Sequence, residues 1–217
     1  MLFRDLFFPN RCLECNRIIA GQELICPICY GEVNFRPYGF EEKNPLLERC
    51  RLLFPCENAF GLMQFEEESL SRKIVHQLKY GNRERVGKVL AEWTADRIFF
   101  ESEKPNLLVT IPLHPKKQKA RGYNQLHLFA NTLSEKFGIP CEHSLLKRNT
   151  HKSAQAQKDR MHRSEVDQLF SITKSISDQH VLLLDDVFTT GNTMSAAAWE
   201  ILKSGNNKVS VLVMAVD

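Results

Sequence analysis

Apolar positions in this chain alternate between short unbroken runs and runs spaced by three and four residues. Residues 59–65 and 107–111 read as strands, and the second, ended by Pro112, has the continuous apolar character of a strand covered on both faces. Residues 67–80 predict a helix with Leu70, Ile74, Val75 and Leu78 on one face, stopped by Gly81. Residues 85–100 predict a second helix presenting Val86, Val89, Leu90, Trp93 and Ile98, and residues 122–137 a third, burying Tyr123, Leu126, Phe129, Ala130 and Leu133 and closed by Gly138. Short strands near 141–146 and 168–172 flank a polar basic stretch. The strongest strand is 180–185, followed by a helix over 193–204 with Gly205 as its stop and a last strand over 208–216. Strands separated by helices call for a parallel sheet with right-handed crossovers, so the class is α/β.

The pattern divides the chain into a module at 1–36, an irregular connector at 37–58 and a main domain at 59–217. At 217 residues, 43% hydrophobic and 25% charged, the composition is that of a globular domain with an accessory unit. The first nine residues lack a basic leader region, a long apolar stretch and a cleavage site, and the longest apolar run, 211–216, is too short to cross a bilayer. These features predict a cytoplasmic protein with no membrane insertion. A net charge of +3 does not by itself imply nucleic-acid binding, but the charge is concentrated. Four cations and no acid lie between His114 and Gln125, and six cations against Asp159 alone lie between Lys147 and Arg163. Such segments attract polyanions.

Seven cysteines are an odd number for a disulfide framework, and four of them form two CxxC pairs, Cys12 with Cys15 and Cys26 with Cys29, ten residues apart. Four thiolates at this spacing suit a structural Zn²⁺ site with no open position for catalysis. A metal also explains how so short a module folds. Cys50 and Cys56 read as ordinary buried cysteines and Cys141 as a core residue.

The chemistry concentrates where Val181, Leu182, Leu183 and Leu184 run into Asp185 and Asp186, and then through Val187 and Phe188 into Thr189, Thr190, Gly191, Asn192 and Thr193. In a parallel sheet the ligand crevice lies beyond the carboxyl ends of the strands. Successive N–H groups, three threonine hydroxyls and the following helix N-terminus can surround a phosphate. Gly191 permits a positive φ there. The two carboxylates are acceptors suited to vicinal hydroxyls. A phosphate binder next to a diol binder describes a ribose 5-phosphate.

This block, VLLLDDVFTTGNT, resembles the signature of type I phosphoribosyltransferases, which bind 5-phosphoribosyl 1-diphosphate (PRPP). The resemblance implies that fold, with Asp185 and Asp186 on the ribose hydroxyls, residues 189–193 around the 5-phosphate, and Mg²⁺ held chiefly by PRPP itself. A leaving diphosphate requires cations and free amides at the neighbouring strand end, where Arg121 beside Gly122 stands out among Lys116, Lys117 and Lys119. The polar segment 148–163, with Gln155, Gln157, Lys158, Arg160 and Arg163, reads as a lid that closes over PRPP and excludes water. His114, His151 and His162 read as solvent-facing or phosphate-adjacent, not as general bases.

The strings IPLHPKKQKARGYNQ, HQLKYGNRERVG and KSAQAQKDRMHR, in that company and with an N-terminal cysteine module, are similar to the ComF family, whose members act in natural competence. The likeness runs through nearly the whole chain and places Lys79 and Tyr80 in a patch capping the site. It departs at Val166, where the family carries an asparagine. Three readings follow: a ComF-type protein binding PRPP and Mg²⁺ in DNA uptake, as a phosphoribosyltransferase or as a binder only; a nucleobase or amido phosphoribosyltransferase of nucleotide metabolism; or a non-enzymatic adaptor for single-stranded DNA working with other competence proteins. Against the amido version, no cysteine follows Met1 as a glutaminase nucleophile.

Overall fold

The computed structural model describes residues 9–21, 23–80, 85–121, 124–149 and 169–217. Two short helices, α1 (Pro27–Tyr30) and α2 (Pro45–Arg51), precede strand β1 (Ala59–Gln64). Helices α3 (Leu70–Tyr80) and α4 (Arg85–Ala95) lead to β2 (Leu107–Thr110), which is followed by α5 (Pro115–Arg121), α6 (Gln125–Phe137) and β3 (Cys141–Glu142). Then come β4 (Leu146–Arg148), β5 (Phe170–Ile172), β6 (His180–Phe188), α7 (Asn192–Lys203) and β7 (Lys208–Val216).

Five strands form one sheet in the order β1-β7-β6-β2-β3, and every pair in it is parallel. Strands β4 and β5 form a separate antiparallel ribbon. The unbroken apolar runs are explained by burial on both faces. Leu108, Leu182, Leu184, Leu212 and Met214 pack with α3, α4 and α6 on one side. Val109, Val181, Leu183, Val211 and Val213, of the opposite parity, pack with α2 and α7 on the other. Each such side chain contributes about 1.5–3 kcal/mol relative to exposure, so a polar residue of either parity is disfavoured.

This topology decides where a ligand sits. Strand β2 connects through α6 to β3, while β6 connects through α7 to β7, and the two helices cover opposite faces. The crevice between β2 and β6, at their carboxyl ends, is the switch point of the sheet.

Several boundaries differ from the sequence reading. The segment 37–55 is not irregular throughout: Pro45 opens α2, and the Asn44 Oδ1 accepts the Leu47 N–H at 3.0 Å. Proline is tolerated at the first helical position, so it marked a start, not a break. The basic loop of 116–121 is helical, and the next helix starts at Gln125, where the Asn124 side chain accepts the Leu126 N–H at 3.0 Å. Helix α3 starts at Leu70, after Ser69, whose hydroxyl accepts the Arg72 N–H at 3.2 Å. Helix α4 ends at Ala95, five residues short of the predicted 100. The strand predicted near 141–146 is two strands in different sheets, Cys141–Glu142 and Leu146–Arg148. Gly138 closes α6 in the left-handed conformation at φ 64°, as its position suggested. Gly81 and Tyr123 lie outside the described residues. Among the described residues, no helix is long and apolar enough to cross a membrane.

Candidate functional site

Strand β6 runs past its apolar core to Phe188, so Asp185 and Asp186 are still held by the ladder with β7, Asp185 opposite Val213. They project at the switch point, where a cleft of about 210 Å³ is lined by Lys79, Ile111, Pro112, Leu113, His114, Gln125, Arg148, Asp185, Asp186, Val187 and Thr193. A smaller space of about 30 Å³ adjoins it, lined by Thr189, Thr190, Gly191, Asn192 and Thr193. The two share Asp185, Val187 and Thr193. Asp185 therefore lines both the cleft and the space at the threonine turn.

The two acids have different surroundings. Asp186 Oδ2 lies 3.1 Å from the Lys79 Nζ and accepts from the Gln125 Nε2 at 2.9 Å. Asp185 Oδ1 accepts the Asp186 N–H at 2.8 Å. Burial and the Asp186 charge push the Asp185 carboxyl up to about 8, against the opposing pull of that N–H, Lys79 and Arg148. The pair thus presents one ion-paired carboxylate and one carboxyl that resists ionisation.

Gly191 occupies the N-cap of α7 at φ 81°, a conformation that L side chains rarely adopt. Space requires it as well, because an added Cβ would lie 2.7 Å from the Phe188 ring and closer still to Leu53. No side chain caps α7, which leaves its first amides and its dipole directed at the small space beside Asp185. That end can hold an anion.

Arg148 and Gln125 line the cleft, and the sequence reading had not singled them out as site residues. The Arg148 guanidinium lies 5.3 Å over the Phe170 ring, and its Nε is buried without a hydrogen-bond partner. A guanidinium with an unused N–H in a cleft can donate to an anion. The sequence offered little signal, because Arg148 directly follows Lys147 within a run of cations. Gln125 is buried at the start of α6, on the face where an apolar residue is normal; that mismatch was legible. His114 lines the cleft, but its Nδ1 accepts the Lys116 N–H at 3.2 Å, which caps α5. The Arg121 side chain, Gly122, and the lid residues Gln155, Arg160 and Arg163 lie outside the described residues, as do His151 and His162.

The sulfur atoms of Cys12, Cys15, Cys26 and Cys29 all lie within 4.8 Å of one another, with Cys15 and Cys26 at 3.7 Å. A tetrahedral zinc with Zn–S bonds of about 2.3 Å separates its sulfurs by about 3.8 Å, so the donor set fits that ion. Against the cost of burial, the N–H groups of Cys15, Cys26 and Glu14 bring the Cys12 thiol down to about 6. Burial and the neighbouring cysteines push Cys29 up. Three of these cysteines pack in the same core as Ile74 of α3 and Trp93 of α4. Cys50 and Cys56 are also buried, in the opposite core; Cys141, by contrast, is only partly buried.

Comparison with known proteins agrees with this architecture. Residues 127–216 match the model of the phosphoribosyl transferase domain. The chain is 34% identical over 201 residues to "Competence protein ComFC" of Bacillus subtilis, covering 89% of this chain and 78% of that protein. It is 26% identical to "Competence protein F" of Haemophilus influenzae, covering 96% of this chain and 98% of that one. To "DNA utilization protein YhgH" of Salmonella typhimurium it is 24% identical, covering 92% and 87%. With its paired acids on a central parallel strand, its phosphoribosyl transferase domain and its clustered cysteines, the chain belongs to the ComF family of competence protein F and ComFC.

Proposed function

We propose that the cleft binds PRPP as its Mg²⁺ complex. The observation that carries this reading is an adjacency: Asp185 lines both the larger cleft and the space at the threonine turn. The ribose 2- and 3-hydroxyls meet Asp185 and Asp186, and the 5-phosphate meets the amides and hydroxyls of residues 189–193. The diphosphate lies toward Lys79 and Arg148, whose Nε is buried without a hydrogen-bond partner, with Arg121 and Gly122 at the neighbouring strand end. Gln155, Arg160 and Arg163 form the lid of this reading. A Mg²⁺ ion bound with the diphosphate would supply charge neutralisation on that leaving group.

Transfer from such a complex requires departure of the diphosphate from the anomeric carbon. Fixed cations and exclusion of water assist this step more than a protein nucleophile does. The four clustered cysteines hold a structural Zn²⁺, in a module at 1–36 joined by 37–58 to the phosphoribosyltransferase-like domain at 59–217. The names of the relatives support a role in DNA uptake during competence; single-stranded DNA and other competence proteins are its partners in this reading.

Calorimetry with Mg²⁺ and PRPP tests the reading. Binding by the native chain and its loss in Asp185→Asn with Asp186→Asn is the expected result, and unchanged affinity in that variant contradicts it. Diphosphate release with a panel of nucleobases and ammonia then separates transfer from binding alone.

A further inference from the structure

We infer that Arg49, on helix α2 in the N-terminal part of the chain, is a positioning residue that sets the phosphate-binding turn. The inference rests on the phosphoribosyl reading of the cleft and extends it to a segment outside the matched domain. The Arg49 Nη2 donates to the Thr189 main-chain oxygen, and its Nη1 donates to the Asp217 main-chain oxygen at 2.6 Å. The guanidinium lies 5.0 Å over the ring of Phe188, the residue before the turn. One side chain therefore ties together the turn, the end of β6 and the chain beyond β7.

Only a planar group with several divergent donors can do this. Arginine bridges two carbonyls from separate segments while resting on an aromatic face. Lysine keeps the charge but loses that fork.

The contact determines how the turn presents itself. In a trans peptide the C=O and the following N–H point in opposite directions. Drawing the Thr189 carbonyl toward Arg49 therefore aims the Thr190 N–H away from it, free for a phosphate oxygen. The same segment braces the turn at a second point. The Leu53 side chain occupies the space an added Cβ on Gly191 would need, and the Leu53 carbonyl accepts from the Trp199 Nε1 of α7 at 3.1 Å. Arg49 and Leu53 thus brace the turn at Thr189 and at Gly191, from α2 and the residues just after it.

The test uses the full chain carrying Arg49→Met or Arg49→Lys, titrated with ribose 5-phosphate and, separately, with Mg²⁺ and pyrophosphate. Ribose 5-phosphate needs the turn, whereas pyrophosphate occupies the other end of the cleft. The methionine variant is expected to bind ribose 5-phosphate roughly tenfold more weakly, the scale of one charge-assisted hydrogen bond, and pyrophosphate unchanged. Hydrogen exchange across 189–193 should accelerate. Equal weakening for both ligands, or exchange across the turn no faster than in the native chain, overturns the inference. Should the methionine variant not fold, the lysine variant carries the same comparison with a smaller expected loss. Native protein that binds pyrophosphate but not ribose 5-phosphate overturns the phosphate reading and the inference with it. Native binding that is matched by the variants overturns the inference alone.

Discussion

The Lys79 Nζ lies 3.1 Å from the Asp186 Oδ2, which joins the last turn of α3 to the end of the central strand. Both side chains are largely shielded, at 25% and 14% exposure, so the pair sits in a medium that strengthens it beyond a surface ion pair. It brings a cation from a helix outside the matched domain into the cleft.

Replacing Lys79 with methionine leaves Asp186 with Gln125 as its neutral partner and removes a charge that lowers Asp185. We expect Mg²⁺–PRPP affinity to fall about tenfold or more, as for the loss of one shielded charged partner. Calorimetry on the variant measures it. Equal affinities would show that Lys79 serves the acid pair only in the empty cleft.

Asp185 makes stability depend on pH. Its carboxyl ionises near 3.8 in an unfolded chain but is pushed up to about 8 in the folded one. Between those values the unfolded chain binds fewer protons, so stability falls as pH rises from about 4 to about 8. Thermal unfolding across this window should show a steeper decline for the native chain than for Asp185→Asn. Parallel curves would argue against the raised carboxyl.

Gly191→Ala combines a strained left-handed backbone with a Cβ driven against Leu53 and Phe188. The expected cost is roughly 1–3 kcal/mol in chemical denaturation, together with loss of ribose 5-phosphate binding. A variant as stable as the native protein would mean that the turn relaxes easily.

Metal analysis should find about one zinc per chain, lost in Cys26→Ser. Because Cys12, Cys26 and Cys29 share a core with Ile74 and Trp93, removal of the metal should also disturb α3 and α4. Chelation is therefore expected to lower the melting temperature and shift the Trp93 fluorescence. Full metal content in the serine variant would refute the four-sulfur site.

The parts of the fold that local pattern governs were legible. Residues 181–184 are apolar at every position because both faces of β6 are covered, and Gly138 and Gly191 stand where left-handed backbone is required. The acid pair and threonine turn are contiguous in sequence, so their proximity was legible too. Contacts between distant segments were not. Arg49 and Thr189 are 140 positions apart, and nothing near Arg49 signals the contact. Arg148 was read as one cation among several because its distinguishing features, the Phe170 ring and an unpaired Nε, arise only in three dimensions. Helix α2 was missed because Pro37, Gly39, Pro45 and Pro55 suggested a linker, whereas Leu46, Leu47 and Cys50 are core residues.

The strand bearing the acid pair is the third of five, bonded to β7 on one flank and to β2 on the other. Shifting its carboxylates would mean shearing two ladders at once, so that end of the pocket behaves as an anvil. Adjustment to different chemistry is left to pieces bolted on around it: the tip of α3, the ribbon holding Arg148 and the brace from α2. A scaffold so divided can keep its acid pair fixed while its periphery is refitted for another task.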